Sequence, residues 1–206
     1  METILKASGI AKYFKEPEPF KVLDDVSFEV GRGEFLSVIG KSGCGKSTLL
    51  YILSTMDTDF EGVLEINGEK LNGKKQNDLA RFRNIHLGFV FQFHYLLPEF
   101  TVLKNVMLPA LKLGKYPKQE IEARAIEKLK MVEMDSHANK PAAKLSGGQQ
   151  QRAAIARAMI NDPAIIMGDE PTGNLDKANS QRVFDIFRVL AKENQQTIIT
   201  VTHDVD

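Results

Sequence analysis

The chain has 206 residues, of which 27 are Lys or Arg and 27 are Asp or Glu, so its formal net charge is zero. This balance argues against a strongly cationic nucleic-acid binder, and we expect no nucleic-acid partner. A single cysteine excludes a disulfide framework and favours a reducing compartment. The sequence has neither a signal-peptide pattern at its start nor an apolar run of about 18 residues, so we expect a soluble, intracellular α/β protein.

Two strands joined by a loop are predicted at the start of the chain. Apolar and polar residues alternate over 3–10 and 22–30, and a turn-rich loop separates them at 15–19. Tyr13 and Phe14 stand just before this loop. We interpret them either as a packing pair on an edge strand or, if a nucleotide site lies nearby, as an aromatic shelf for a planar base.

A glycine-rich loop between a predicted strand and a predicted helix has the composition of a phosphate site. The apolar run 35–39 predicts a buried strand, and residues 40–47 then read Gly-Lys-Ser-Gly-Cys-Gly-Lys-Ser, the G-x-x-x-x-G-K-[ST] pattern. In such a loop backbone N–H groups surround the β-phosphate, Lys46 reaches the β- and γ-phosphate oxygens, and Ser47 binds Mg²⁺. The nucleotide-binding residues predicted here are Gly40, Lys41, Ser42, Gly43, Cys44, Gly45, Lys46, Ser47 and Thr48.

Cys44, inside this loop, has two interpretations. A small side chain suits a turn that is shaped by its backbone. A thiol at a helix N-terminus can also be reactive, because the positive end of the helix dipole favours the thiolate. In the second case alkylation would block ATP binding and ATP would protect the thiol.

Two adjacent carboxylates, Asp169 and Glu170, follow the apolar run 164–167, which predicts another buried strand. At a strand end beside a phosphate loop such a pair can divide two roles. Asp169 is predicted to hold Mg²⁺ through water, and Glu170 is predicted to face the attacking water.

Two further polar residues, Gln92 and His203, end the predicted strands 87–91 and 197–202. The C-terminal ends of strands in an open α/β sheet face the ligand crevice, so both are candidates for the same site. Gln92 could direct its amide at the metal or at water. An isolated Gln is more often a solvated loop residue, and an isolated His is more often structural or exposed.

The middle of the chain predicts a helical lobe inserted between strands. Helical periodicity extends over 101–114 and 118–134, and Pro98, Pro109 and Pro117 punctuate it. The run Asn-Lys-Pro-Ala at 139–142 resembles the guanine-reading N-K-x-D motif of GTPases. It lacks the Asp that would bind guanine, so a GTPase is disfavoured.

A second glycine-rich turn, Leu-Ser-Gly-Gly-Gln at 145–149, precedes another predicted helix. Ser146 can cap that helix, and Gly147 and Gly148 leave the backbone open to a ligand. Free N–H groups and the positive end of a helix dipole favour an anion. The sequence therefore predicts two separate phosphate-binding elements.

In this order the motifs resemble those of the ABC-type ATPase family over essentially the whole chain. Residues 40–47 resemble the Walker A motif, 165–169 with Glu170 the Walker B motif and its catalytic glutamate, and 145–149 the signature motif. By the same resemblance the remaining site residues are Phe14, which stacks on adenine; Gln92 of the Q-loop; Asp176 of the D-loop; and His203, the switch histidine.

Two segments indicate a subgroup of this family. They read Phe-Gln-Phe-His-Tyr-Leu-Leu-Pro-Glu-Phe-Thr at 91–101 and Asp-Glu-Pro-Thr-Gly-Asn-Leu-Asp at 169–176. They resemble the lipoprotein-releasing, MacB-type efflux and FtsE-type cell-division ATPases, and are closest to the lipoprotein-releasing type. The sequence departs from the family pattern in having Lys41 where Pro is commoner and Gly168 where Ala is usual. It also ends at Asp206, soon after the switch histidine, which we interpret as a shortened C-terminus.

The resemblance implies a single ABC ATPase domain over 1–206: an α/β P-loop NTPase (RecA-like) core with an antiparallel β subdomain and an inserted α-helical subdomain. The core and the antiparallel sheet would take 1–92 and 163–206. The helical subdomain, which carries the signature motif, would take 93–162.

The resemblance also implies an ATPase that uses ATP and Mg²⁺ and works as a head-to-tail, ATP-dependent homodimer. Lys46 and Ser47 of one copy would hold the nucleotide, with metal ligands Ser47, Gln92 and Asp169. Catalysis would rest on Glu170, His203, Lys46 and Gln92. The second copy would complete the site with Ser146, Gly147, Gly148 and Gln149.

Integral membrane permease subunits of the lipoprotein-releasing type are the implied partners, at the cytoplasmic face of the bacterial inner membrane. MacB-type efflux and FtsE-type recruitment of a cell-wall enzyme are the alternatives. A soluble ABC ATPase of DNA repair or translation would need a coiled-coil insertion or a second cassette. A P-loop kinase would have no reason to carry Leu-Ser-Gly-Gly-Gln.

Overall fold

The computed structural model describes residues 2–15 and 18–202, so the predicted site residue His203 lies outside the described residues. In this part of the chain, eight strands form two four-stranded sheets and are accompanied by six α-helices. The strands are β1 (Thr3–Phe14), β2 (Phe20–Gly31), β3 (Phe35–Ile39), β4 (Glu61–Ile66), β5 (Glu69–Lys70), β6 (Leu87–Val90), β7 (Ile165–Asp169) and β8 (Thr197–Thr202). The helices are α1 (Lys46–Leu53), α2 (Gln76–His86), α3 (Val102–Leu113), α4 (Lys118–Met131), α5 (Gly147–Met159) and α6 (Lys177–Glu193).

The first sheet is antiparallel and has the strand order β2-β1-β4-β5. The two predicted N-terminal strands are confirmed, and β1 continues through Phe14. β1 and β4 approach each other closely at Gly62, which has a φ of 101°. A Cβ there would lie 2.4 Å from the carbonyl oxygen of Gly9, so only glycine fits.

The second sheet is parallel and has the order β3-β8-β7-β6. Every residue of β7 and β8 is buried, which confirms the strands predicted there. The prediction of a buried strand at 35–39 is wrong in its burial. In the described part of the chain β3 pairs only with β8, and this edge position leaves Ser37 and Ile39 exposed.

Two hydrophobic clusters lie on opposite faces of the parallel sheet. Alternate residues of β7 point to opposite sides, so Ile166 belongs to one cluster and Ile165 to the other; in β8, Ile198 and Ile199 divide in the same way. Residues of α3 to α6 pack in the first cluster, and residues of α1, α2 and the antiparallel sheet pack in the second. The sheet is thus covered on both faces, as parallel sheets require.

The helices α3, α4 and α5 pack together in the predicted helical region. Val106, Ile121, Leu129 and Ile155 are completely or almost completely buried there. Pro109, expected to punctuate the region, lies inside α3, which continues to Leu113. In the described residues, none of these helices has both the length and the apolar character needed to cross a membrane. The boundaries 1–92, 93–162 and 163–206 stay a prediction.

Candidate functional site

The phosphate loop connects the C-terminal end of β3 to the first turn of α1. Gly45 precedes the helix at φ 92°, and a Cβ at this position would lie 2.9 Å from Val22 Cγ1, so both the conformation and the space require glycine. Lys46 is buried, and its Nζ donates hydrogen bonds to the carbonyl oxygens of Gly40 at 2.7 Å and Lys41 at 2.9 Å. Its ammonium group is therefore held within the loop by neutral partners.

A cleft of about 410 Å³ lies over this loop. Its lining combines a small, polar floor of loop and α1 residues with aromatic and apolar residues of β1 and β2 and with one carboxylate. This is the combination that a nucleoside triphosphate needs: amides and a cation for phosphates, and a ring for the base. The lining residues are Phe14, Phe20, Val22, Ser42, Gly43, Gly45, Lys46, Ser47, Thr48 and Glu170.

Asp169 ends β7 and meets α1 at the edge of this cleft. Ser47 Oγ donates to Asp169 Oδ1 at 2.9 Å, and the Tyr51 hydroxyl donates to Oδ2 at 2.9 Å. Burial, and then the hydrogen bond to Asp169, raises the pKa of Tyr51 to about 12, so its hydroxyl stays protonated and remains a donor at neutral pH. Both carboxylate oxygens are thus oriented by α1.

The contact between Ser47 and Asp169 fits a magnesium site. Mg²⁺ in phosphoryl-transfer enzymes uses one or two protein oxygens and takes its other ligands from phosphates and water. Among the described residues, three or more His, Cys, Asp or Glu side chains are nowhere grouped to form an all-protein metal site. The hydroxyl and the carboxylate therefore match Mg²⁺ bound together with a nucleotide.

Glu170 stands at the turn that follows β7 and lines the cleft. Its φ is 43°, in the left-handed region, and its N–H donates to the carbonyl oxygen of Val201 at 3.0 Å. Unusual backbone conformations of this kind occur often at functional sites, where the surroundings hold them. A Cβ on Gly173 would lie 3.2 Å from Glu170 Oε2 and 3.0 Å from Gln92 Nε2, so this glycine leaves room for both side chains.

Gln92 follows β6 and is linked to the segment after β7. Its Nε2 donates to Asn174 Oδ1 at 3.4 Å, and Asn174 Nδ2 donates to the carbonyl oxygen of Gln92 at 3.2 Å. The structure therefore brings Gln92, Gly173 and Glu170 together. Within the described ranges 2–15 and 18–202, Gln92 forms no hydrogen bond with Ser47 or Asp169.

The second glycine-rich turn forms the N-terminus of α5, as predicted. Ser146 Oγ accepts the N–H of Gln149 and the Gln149 side chain accepts the N–H of Ser146, which completes a capping box. A Cβ on Gly148 would lie 2.3 Å from Asn179 Oδ1, so any larger residue here would displace the Asn179 side chain. Ser146 and Gly147 are exposed.

This turn also lies beside the start of α6. Asp176 caps α6 by accepting hydrogen bonds from the N–H of Asn179 at 2.8 Å and from its Nδ2 at 2.7 Å. The backbone and side-chain hydrogen bonds from Asn179 lower the pKa of Asp176. In the described part of the chain, residues 145–149 and Asp176 do not line the cleft over the phosphate loop. The two predicted phosphate-binding elements are separate in one chain.

Two site residues, Tyr51 and Gln151, were not predicted from the sequence. Tyr51 lies one helical turn after Ser47, and this i, i+4 spacing was the available signal. Gln151 is buried in α5, and its Nε2 donates to the carbonyl oxygen of Pro171 at 2.5 Å, beside Glu170. Gln151 gave no sequence signal of its own, because its partner is distant in the chain. Asn174 lies in the segment 169–176 that indicated the subgroup, but its contact with Gln92 was not predicted.

Cys44 is exposed, and a Cβ on Gly40 would lie 2.8 Å from its Sγ. The thiol therefore sits at the mouth of the phosphate loop. Lys41, the departure from the family pattern in the same loop, is exposed as well.

Comparison with known proteins defines the class. The family profile described as ABC transporter matches residues 23–173, which include the phosphate loop, the turn at 145–149 and the carboxylate pair. This match covers more than half of the chain. The protein therefore belongs to the ABC transporter family, and its fold is that of an ABC-type ATPase.

Individual relatives show which members of this family the chain is similar to. The chain is 45% identical over 205 residues to the lipoprotein-releasing system ATP-binding protein LolD 1 of Chlorobium chlorochromatii, covering 98% of this chain and 83% of that protein. It is 46% identical to LolD of Aquifex aeolicus, covering 99% and 89%. Among solved structures, the dimeric bacterial ABC transporter cassette MJ0796 has a TM-score of 0.89 at 39% identity, covering 98% of this chain and 89% of that one. The same cassette is known in a post-hydrolysis state bound to ADP and Pi.

Proposed function

We propose that this chain is the ATP-binding and ATP-hydrolysing subunit of a lipoprotein-releasing ABC transporter. The observation that carries the proposal is the cleft that unites the phosphate loop, an aromatic shelf and Glu170, with Asp169 on Ser47 at its edge. Relatives of 43–46% identity are named as lipoprotein-releasing ATP-binding proteins, which supports lipoproteins as the cargo.

The cleft would hold ATP in a fixed order. Phe14 stacks on the adenine, the loop N–H groups surround the β-phosphate, and Lys46 exchanges its carbonyl partners for β- and γ-phosphate oxygens. Ser47 and Asp169 would hold Mg²⁺, which neutralises charge on the phosphates. The hydrogen bond between these two residues already orients both groups.

Hydrolysis needs a water molecule that is held in line with the γ-phosphate. Glu170 lines the cleft and is proposed to orient and polarise this water. Gln92 lies next to Glu170, and Gly173 leaves room for both side chains. Gln92 would transmit the binding of nucleotide to the helices that follow it. His203 is proposed to contact the γ-phosphate.

A second copy would complete each site. The turn at 145–149 is exposed at Ser146 and Gly147 and lies outside the cleft of its own chain. We therefore propose a head-to-tail dimer in which this turn and Asp176 face the ATP of the partner subunit, as a dimeric cassette of 39% identity supports. The N-terminus of α5 would then meet the γ-phosphate.

The membrane partner would bind beside Gln92. The segment after β6 exposes Phe93, Tyr95, Leu97 and Phe100, and a cluster of apolar side chains on a surface is typical of a protein interface. We propose that this segment receives the membrane permease subunits at the cytoplasmic face of the bacterial inner membrane. Closure and opening of the dimer would then drive the permease by a conformational step.

The test is reconstitution. The chain is co-purified with its membrane subunits and placed in liposomes that contain a lipid-anchored protein. We expect ATP to release the acylated protein to a soluble acceptor, and Glu170→Gln to abolish release although ATP still binds. Release of an unacylated small molecule instead, with the acylated protein retained, would assign the chain to an efflux system and overturn the proposal.

A further inference from the structure

Lys12 is a charged residue in the interior of the antiparallel sheet. It lies in β1, and its side chain is only 5% exposed. A buried ammonium group needs partners, because burial without them disfavours its charge. Lys6, in the same strand, forms an ion pair with Glu29 in which both side chains are 50% exposed. The surroundings of Lys12 therefore differ from those of an ordinary strand lysine.

The partners of Lys12 come from the loop that follows α1. Its Nζ lies 2.9 Å from Asp57 Oδ2 and 3.1 Å from Oδ1, and it donates to the carbonyl oxygen of Asp59. Asp57 is 26% exposed, whereas the Asp59 carboxylate, 3.3 Å from Nζ, is 85% exposed. Because solvent weakens exposed ion pairs, Asp57 is the principal partner.

The Lys12 side chain stays protonated in spite of its burial. Burial by itself lowers the pKa of its ammonium group, but the hydrogen bonds and the negative charges of Asp57 and Asp59 together outweigh burial, so the pKa lies above its usual value. Lys12 is therefore a permanent cation at physiological pH.

This cation also contacts the proposed adenine shelf. The Lys12 Nζ lies 5.5 Å from the centroid of the Phe14 ring, within the range of a cation–π contact. Residues i and i+2 of a strand point to the same face, so β1 places Lys12 and Phe14 side by side. Phe14 itself lines the cleft and is 45% exposed, so the ring can contact both Lys12 and a ligand.

The same contacts continue to the phosphate loop. The N–H groups of Met56 and Asp57 both donate to the carbonyl oxygen of Tyr51, at 2.9 and 3.1 Å, which fixes the loop to the end of α1. The phosphate loop forms the start of that helix. One chain of contacts therefore joins Phe14, Lys12, Asp57 and the helix that carries Ser47.

We propose that Lys12, held by Asp57, is a positioning residue that fixes the Phe14 ring for the adenine base and sets its distance from the phosphate loop. The inference rests on the proposed adenine contact of Phe14. Lys12 acts through the ring and does not contact the phosphates. Its removal should weaken recognition of the base and leave recognition of the triphosphate intact.

The experiment compares ATP with inorganic tripolyphosphate, which has no base. Dissociation constants for both are measured by calorimetry on wild type, Lys12→Met, Lys12→Arg, Asp57→Asn and Phe14→Ala. In Lys12→Met we expect the ATP constant to rise about three- to tenfold, the size of a partly buried cation–π contact, and the tripolyphosphate constant to stay within about twofold. Lys12→Arg keeps the positive charge and should bind ATP as wild type does. Lys6→Met, which removes an exposed lysine of the same strand, is the matched control.

Double substitution gives a second readout. Once the ring is absent Lys12 has nothing to position, so Phe14→Ala with Lys12→Met should bind ATP as Phe14→Ala alone does. Equal losses for ATP and tripolyphosphate, additive losses, or no loss in Lys12→Met would each overturn the inference. If Phe14→Ala itself leaves ATP binding unchanged, the adenine contact in the proposed function fails instead.

Discussion

At the scale of single residues, two neighbouring carboxylates have different surroundings. Asp169 is buried, and both of its oxygens accept hydrogen bonds from α1. Glu170 is half-buried at a turn with positive φ and lines the cleft. The first carboxylate is thus fixed for a metal, and the second is placed where a water molecule could reach a γ-phosphate.

Tyr51 tests how firmly Asp169 is held. Tyr51→Phe removes one charge-assisted hydrogen bond and should lower the free energy of unfolding by about 1 kcal/mol at pH 7, measured by urea denaturation. Because the pKa of Tyr51 is raised to about 12, its stabilising contribution is complete below the pKa of an unfolded tyrosine, about 10. It should be lost as the pH rises from that value through the folded pKa.

Tyr116→Phe is the control for this substitution. Within the described residues the Tyr116 hydroxyl forms no hydrogen bond, while its ring contacts Lys115 and Arg124. A phenylalanine at this position would keep both ring contacts. We expect the control to unfold like wild type. If Tyr51→Phe also matches wild type at pH 7, the hydrogen bond to Asp169 contributes nothing to stability.

At the scale of elements, the N-terminus of α5 must be capped and must also leave space for its neighbours. Its capping box satisfies the N–H groups of Ser146 and Gln149, and its two glycines add no side chains to the surface of the turn. Gly148 also admits Asn179, which fixes Asp176 at the start of α6. The turn is stable without a partner, so it can be present in a monomer and act only when a second copy binds.

Ser146→Arg should separate ATP binding from dimer formation. In a Glu170→Gln background, where hydrolysis is blocked, we expect ATP to convert the chain to a dimer on gel filtration. Adding Ser146→Arg should leave ATP affinity of the monomer within about twofold and abolish the dimer, because a bulky cation would occupy the proposed interface.

Thr101→Arg is the matched control, since Thr101 caps α3 by accepting the N–H of Lys104 at 3.2 Å. Both substitutions lose a helix cap, at a similar cost of about 1 kcal/mol. Only Ser146 lies in the proposed interface. Persistence of the dimer with Ser146→Arg, or its equal loss with Thr101→Arg, would contradict the assignment.

At the scale of the whole molecule, the two phosphate-binding elements belong to different surfaces. The cleft is lined by residues of β1, β2, the phosphate loop and α1 and by Glu170. The turn at 145–149 is exposed at Ser146 and Gly147, outside this cleft. A head-to-tail pair of identical chains would bring one of each together at two sites. Such a pair has twofold symmetry, so the same patch is used by both copies.

Mixing two inactive variants tests this arrangement. Lys46→Ala disables the phosphate loop and Ser146→Arg disables the turn, so each variant alone has two damaged sites. In a mixed dimer one site carries both defects and the other carries none. When the proposed membrane subunits hold two copies together, pairing does not depend on ATP, and random pairing should restore about a quarter of the wild-type rate of phosphate release if the two sites work independently.

The control places both substitutions in one chain and mixes it with wild type. In that mixed dimer each site carries one defect, and only the wild-type homodimers, about a quarter of the pairs, remain active. Measured after subtraction of the wild-type homodimer signal, this mixture should show no additional rate. Failure of the first mixture to gain activity over its separate components would argue against sites shared between copies.

The sequence by itself determined the phosphate loop, the strand ends and the capped turn at 145–149, because each depends on local chemistry. A G-x-x-x-x-G-K-[ST] loop binds phosphate through its own backbone, and a capping box lies within four residues. Apolar runs located β7 and β8, and the order of the motifs was sufficient to indicate the family.

Only the tertiary structure decided which of these groups meet. Tyr51 and Asp169 are 118 residues apart, Gln92 and Asn174 are 82 apart, and Lys12 and Asp57 are 45 apart. The exposure of β3 also followed from its position in the sheet, since an edge strand and a central strand can have the same apolar composition. Contacts of this kind depend on how the sheets and helices pack, which local sequence patterns do not determine by themselves.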